Sequence, residues 1–251
     1  MIKSIFASVL VTLALGANVA TADIYADALA SPSRLEGDAA RDAGRKPAEI
    51  LEFLGIAPDM VVLDMFSGGG YYAELISSIV GNHGRVVAHS NSAYLKFVGE
   101  EFAARHAEGR MPNVEVLMAE NNELQLEASQ FDAITMVLAF HDTYWVNPEG
   151  GWPEIDRPAL NAELFAALKP GGVLGIVDHY AAAGSSGESG GTLHRIDRAI
   201  VVADLEAAGF VLESESDILR NPEDDYSKGV FTPGIRGNTD RFVLKFRKPE
   251  Q

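Results

Sequence analysis

Two places in the chain gather residue types that do chemistry. The first is an acid followed three residues on by a run of small residues, in Asp64-Met65-Phe66-Ser67-Gly68-Gly69-Gly70. Three consecutive glycines make a backbone that tolerates positive φ and can lie against a ligand with no Cβ in the way. The second is a pair of titratable couples, His141-Asp142 in "AFHDTYW" and Asp178-His179 in "IVDHY". At neighbouring strand ends, these four side chains would form an acid/base cluster able to move a proton near neutral pH. Each also has a plainer reading: Asp142 can cap the turn before Thr143, and His179 can satisfy loop carbonyls. No metal-ligand spacing is read in the chain.

The elements that must position these residues are legible around them. "VVLDM" is a continuous apolar run ended by an acid, as expected of a strand covered on both faces. A helix is predicted from Tyr71 to Val80, with Leu75, Ile76 and Ile79 as its core side. In a doubly wound sheet, ligands sit beyond the carboxyl ends of the strands, where the first strand turns into its helix. The glycines occupy that turn, and the following helix adds free N–H groups and a positive end.

The pattern then recurs. "GRVVAHS" reads as a strand, "SAYLKFVGEEFAARHA" as a helix, and "VEVLMA" and "FDAITMVLAF" as strands. "RPALNAELFAALKPGGVLGIVDHY" reads as a helix that stops at Pro170-Gly171-Gly172 and passes straight into a strand. After the helix "RIDRAIVVADLEAAGF", the strands "VLESESDIL" and "RFVLKFRK" are separated by a polar loop with no legible helix, so they pair antiparallel. Upstream, "RDAGRKPAEILEFLGI" places Pro47 in a first helical turn, with Ile50, Leu51 and Leu54 at helical spacing. The expected fold is α/β: a doubly wound, mostly parallel, seven-stranded Rossmann-like sheet with a C-terminal antiparallel strand pair, occupying residues 47–251 after a polar leader and the start of the entry helix at 23–46.

Residues 1–22 read differently. Lys3 precedes an apolar run from Ile5 to Leu15, and Ala20-Thr21-Ala22 has the small-x-small form of a signal cleavage site. A secretory signal cut before Asp23 is expected, with export, to the periplasm, and no stable membrane insertion afterwards. The chain has no cysteine, hence no disulfide. Its net charge is −16, and loss of Lys3 with the signal makes it −17. Phosphate backbones are bound by clustered Lys and Arg, so the charge points away from nucleic acid and towards a small-molecule ligand. Oligomeric state is not legible.

The glycine string alone is ambiguous. Gly68-Gly69-Gly70-Tyr71-Tyr72-Ala73 also satisfies the dinucleotide-binding pattern, which expects an acid about 20 residues on, and the second strand here ends in His89-Ser90-Asn91 instead. "VVLDMFSGGG" with Asp64, followed by "LKPGGVLGIVDH" and the closing antiparallel pair, resembles the class I S-adenosylmethionine-dependent methyltransferases over the stretch from about Pro47 to the C-terminus. "HDTYW", "LHRID" and "LRNPEDDYSKGVFTPGIRGNTDRFVLKFRK" resemble, more narrowly, an often exported family of methyltransferases of unnamed substrate. The resemblance implies S-adenosyl-L-methionine as cofactor, with Asp64, Ser67, Gly68 and Gly70 near its methionine part. It implies Ser90 or Asn91 near the ribose and Glu120 or Asn121 near the adenine. Phe66 departs from the family's first loop glycine, and the second-strand acid is missing.

For methyl transfer the sulfonium is already an activated electrophile, so the protein supplies alignment and, for a protonated acceptor, a base. His141, Asp142 and His179 are the candidates. Tyr71, Tyr72, Tyr144, Trp145 and Trp152 can wall a pocket or pack loops. Arg195 can pair with a carboxylate of cofactor or substrate, or belong to a solvated first turn. Residues 220–240 can form a lid or an ordered edge loop. Three functions fit: methyl transfer to a small molecule, a non-catalytic exported binding module on the same fold, and a nicotinamide-dependent oxidoreductase. The last is disfavoured by the missing ribose acid and the closing strand pair.

Overall fold

The computed structural model describes residues 23–107 and 109–250, so the expected signal at 1–22 lies outside the described residues. In chain order the elements are α1 (Ile24–Leu29), α2 (Asp38–Arg45), α3 (Pro47–Leu54), β1 (Val61–Met65), α4 (Tyr71–Val80), β2 (Arg85–Ser90), α5 (Ser92–Arg105), β3 (Val114–Met118) and β4 (Phe131–Val137). Two short 3-10 turns follow, Phe140–Tyr144 and Pro148–Gly150. The chain closes with α6 (Arg157–Ala167), β5 (Leu168–His179), α7 (Ser189–Leu193), α8 (Arg198–Ala207), β6 (Val211–Ser216) and β7 (Arg241–Arg247).

The seven strands form one sheet in the order β3-β2-β1-β4-β5-β7-β6. β3, β2, β1, β4 and β5 pair in parallel. β7 inserts between β5 and β6 and runs antiparallel to both. The order reverses direction at β1, which makes the gap beyond the carboxyl ends of β1 and β4 the ligand crevice of the topology. Side chains alternate across the central strands. Leu63, Met65, Ile134 and Met136 pack with Leu160, Leu164 and Phe246 on one face. Val62, Ala133 and Val177 pack with Ile50, Leu54, Ile76 and Val80 on the other. Each such buried aliphatic chain contributes about 1.5–3 kcal/mol, which fixes the register that positions the strand ends.

Three expectations are corrected. The helix expected around Pro47 is broken: Lys46 takes φ 43°, ends α2 and starts α3, because proline fits a first helical turn but its ring disfavours helical backbone at the residue before it. Within residues 23–46, Ala28 of α1 joins the core and Asp38 of α2 is buried against Arg105. The strand "FDAITMVLAF" ends at Val137, Leu138 adopts φ 57°, and a 3-10 turn carries Phe140 to Tyr144. The chain folds back there because His141 N–H finds the Asp178 carboxylate, 2.8 Å away at the end of β5. Pairing of β5 begins at Leu168, before the Pro-Gly-Gly turn, with a register irregularity opposite Phe131 and Ala133.

Candidate functional site

Asp64 stands at the end of β1 and is fully buried. Its register partner on β4 is Thr135, so the two side chains share a face, and the threonine hydroxyl donates to one carboxylate oxygen at 2.8 Å. The Ser67 hydroxyl donates to the other at 2.6 Å. Burial outweighs these bonds and pushes the Asp64 pKa up to about 6. The turn that follows is held by the neighbouring strand: Ser67 N–H donates to the His89 carbonyl at 2.8 Å.

The glycines have separate reasons. Gly68 takes φ 60° and nothing lies within 4 Å of where a Cβ would stand, so its backbone is open to a ligand. Gly70 takes φ 81° at the start of α4, and a Cβ there would meet the Arg105 side chain at 2.8 Å. Arg105 is wholly buried, donates to the Gly69 carbonyl at 2.7 Å and pairs with Asp38, Glu74 and Glu101. One guanidinium thus ties α2, α4, α5 and the glycine turn together. Phe66, where the family has glycine, adopts φ 55°, and its ring packs on His89, Tyr94 and Trp152.

Asn91 and Asn121, expected at the ribose and adenine positions, are both buried and bonded to each other at 3.0 Å. Asn91 also caps α5, accepting from Tyr94 N–H at 2.8 Å. The Ser90 hydroxyl beside it is buried without a hydrogen-bond partner.

The acid/base candidates separate. His141 and Asp142 lie on the 3-10 turn, buried behind Tyr94, whose hydroxyl donates to Asp142 at 2.5 Å. The Asp178 carboxylate bonds His141 Nδ1 at 2.8 Å. Burial alone would lower the His141 pKa, but the charges of Asp142 and Asp178 lift it to about 9, which favours an imidazolium at neutral pH. His179 is instead held well below its usual value by burial and by the positive charges of His141, Arg241, Arg195 and Arg45. It is neutral, bonds Thr239 through Nδ1 at 2.7 Å, and lines the open space beyond the strand ends. Of the three candidates, His179 is the one on the cavity wall. His194, at the end of α7, was missed by sequence reasoning: it reaches His141 Nε2 at 3.3 Å, a contact across 53 residues that no local pattern announces.

That open space comprises two cavities that share part of their walls. One of about 260 Å³ is lined by Asp64, Ser67, Gly68, Tyr72, Tyr94 and His179. The other, of about 620 Å³, adds Arg236 and Arg241 and shares Arg41, Arg45, His179 and Phe231 with the first. Among the described residues Arg45 and Arg241 make no ion pair with a carboxylate. Arg45 lies over the Tyr71 ring, and Arg241 donates to the Gly44 carbonyl at 2.6 Å. Burial lowers both pKa values. Of the expected aromatic wall, Tyr71 and Tyr72 line the crevice, whereas Tyr144 bonds Asp204 and Trp152 packs behind Phe66. Arg195 reaches neither ligand space nor solvent. It is fully buried, and its fork bonds Asp224 at 2.9 and 3.0 Å. Asp224 in turn accepts from Asp240 N–H, so residues 220–240 form an ordered edge loop whose Val230 and Phe231 also cover the cavity.

The strand order, the acid at the end of β1 and the glycine turn are those of the class I S-adenosylmethionine-dependent methyltransferases, which the chain matches in fold and resembles in sequence. The family model for protein-L-isoaspartate(D-aspartate) O-methyltransferase matches residues 22–143. The ubiquinone/menaquinone biosynthesis C-methyltransferase UbiE of Shewanella piezotolerans is 32% identical over 129 residues, which are 51% of this chain and 46% of that protein. The UbiE of Proteus mirabilis is 30% identical over 129 residues, with the same coverage of each. The chain thus spans about half the length of the curated relatives it matches. Among solved structures, a SAM dependent methyltransferase from Aquifex aeolicus superposes with a TM-score of 0.54 at 23% identity, covering 80% of this chain and 89% of its own. The [4+2]-cyclase SpnF superposes with a TM-score of 0.57 at 15% identity, covering 91% and 94%. These structural likenesses concern the fold.

Proposed function

We propose that this chain transfers the methyl group of S-adenosylmethionine to a small acceptor that carries a negative charge, and that it does so after export. The observation that carries the reading is the pairing of two spaces: a crevice at the acid-tipped first strand, and beside it a chamber lined by Arg41, Arg45, Arg236 and Arg241 in a chain whose net charge is −16. Arg41 pairs with Asp38 and with Glu101, which also lines the chamber, but Arg45 and Arg241 have no carboxylate partner among the described residues, and guanidinium groups held that way favour a carboxylate or phosphate.

The residues present fit the methionine end of the cofactor. Gly68 offers open backbone, and above about pH 6 the Asp64 carboxylate is available to the cofactor's positive charge. The unpartnered Ser90 hydroxyl is a waiting partner at the end of β2. At the ribose end, Asn91 and Asn121 satisfy each other and must turn from one another to bind adenosine. That mutual pairing favours the second reading, a module that binds without transferring. Neutral His179 on the cavity wall is the base for an acceptor that loses a proton.

Calorimetric titration with S-adenosylmethionine, S-adenosylhomocysteine and, as a control, NAD tests the proposal. Binding of the first two and not the third, abolished in Gly68→Val, is expected. Turnover of carboxylate- or phosphate-bearing acceptors should show a raised KM in Arg241→Met. Cofactor binding with no turnover of any anionic acceptor would favour the binding module, and no cofactor binding by the folded chain would overturn the transferase reading.

A further inference from the structure

The His141, Asp142 and His194 side chains converge on a point. His141 Nε2 lies 3.3 Å from His194 Nδ1 and 3.3 Å from Asp142 Oδ1, and those two are 3.6 Å apart. Three atoms on the corners of a nearly equilateral triangle are what a tetrahedral ion requires: metal–ligand bonds of about 2.0–2.1 Å put adjacent ligands about 3.3–3.4 Å apart. An octahedral ion with such bonds would need about 3.0 Å.

The surroundings match as well. Asp178 engages His141 Nδ1, which directs Nε2 towards the triangle, and a histidine ligand held by a carboxylate through its other nitrogen is the usual support of a zinc site. Tyr94 O–H donates to Asp142 Oδ2, leaving Oδ1 for the centre. Two imidazoles and one carboxylate make a borderline donor set, suited to Zn²⁺ rather than Mg²⁺ or Ca²⁺.

We propose that His141, Asp142 and His194 bind one Zn²⁺ ion in a three-residue site with an open fourth position. The ion would tie the 3-10 turn after β4 to the end of α7. His194 packs edge-on against Phe231 at 4.8 Å, and Phe231 and Tyr94 wall the crevice, so the site and the crevice share a wall. The site stands on its own geometry and does not rest on methyl transfer.

The test uses the full chain, stripped with a chelator, exchanged into chelator-free buffer and titrated with Zn²⁺ by calorimetry, with Co²⁺ as a spectroscopic probe. One ion per chain and the visible absorption of tetrahedral Co²⁺ are expected. His194→Asn keeps a residue type that tolerates the φ of 54° found there, and should weaken Zn²⁺ binding at least tenfold and erase the Co²⁺ bands. Asp178→Asn should weaken it about 10–100-fold through the orientation of His141. His83→Ala, a histidine outside the triangle, should change nothing. No Zn²⁺ bound by the folded chain, or binding that survives His194→Asn, or binding lost in His83→Ala, would overturn the proposal. S-adenosylhomocysteine titration of the same samples reports separately on the cofactor crevice.

Discussion

Replacing Asp64 by asparagine should stabilise the ligand-free protein at neutral pH while removing its cofactor site. The native carboxyl is pushed up to about 6, well above the ordinary carboxylate range, because it is wholly buried. An acid raised on folding binds protons more tightly in the folded state, so its favourable contribution is complete below pH 4 and is lost as pH rises through 6. That elevation corresponds to roughly 3 kcal/mol, an upper bound on what a neutral side chain recovers at pH 7.5. Asparagine loses part of this, since one of the Ser67 and Thr135 hydroxyls must turn to accept from its amide, at about 1–2 kcal/mol. The remaining gain of about 1–2 kcal/mol raises Tm by about 2–8 °C in a chain of this size. Thermal unfolding at pH 7.5 and pH 5.0 measures it, and the gain should shrink at pH 5.0, where the native carboxyl is mostly protonated. Over the same interval, binding of S-adenosylhomocysteine by the native chain should weaken about tenfold for each pH unit below 6, and Asp64→Asn should bind at no pH. A variant less stable than the native chain at pH 7.5 would show that the ionised carboxylate holds the fold together, and the reasoning would fail.

Two other substitutions test the frame around the site. Arg195→Met leaves Asp224 as a buried, unpaired carboxylate and should cost about 3–5 kcal/mol in urea unfolding, whereas Arg195→Met with Asp224→Leu should recover much of it. Equal losses in the single and double variants would mean the pair is not what anchors residues 220–240. Phe66→Gly removes a ring packed on Tyr94 and Trp152, a loss of about 3–5 kcal/mol, offset by about 1 kcal/mol of relief at φ 55°. A net fall of about 2–4 kcal/mol by chemical denaturation is expected, and a more stable variant would refute the packing role.

What was legible in the sequence followed distance along the chain. The α4 boundaries, the seven strands and the antiparallel closure could be read because apolar periodicity, Pro and Gly act within a few residues of themselves. The break at Lys46 was the local exception, its cue lying in Pro47 itself. The residues that complete the sites had no such cue. Arg41 and Arg45 read only as the polar start of the entry helix, and they become a cavity wall because Arg105, far along the chain, draws Asp38 and hence α2 onto the glycine turn. Arg241 looks like the polar start of an edge strand until β7 inserts beside β5 and places it opposite His179.

The same physics separates the three acid/base candidates, which no sequence pattern could rank. His141 and His179 are both buried near strand ends, with rings 6.0 Å apart, so a positive charge on one opposes a positive charge on the other. Asp142 and Asp178 both lie against His141, while Arg241, Arg195 and Arg45 surround His179, so the charge settles on His141 and leaves His179 neutral on the cavity wall. Zn²⁺ at the proposed triangle would displace the His141 proton yet keep a positive centre at the same place. His179 would stay neutral with the ion or without it, and the division between a charged histidine on the 3-10 turn and a neutral one on the cavity wall is therefore a property of where the carboxylates and arginines fall.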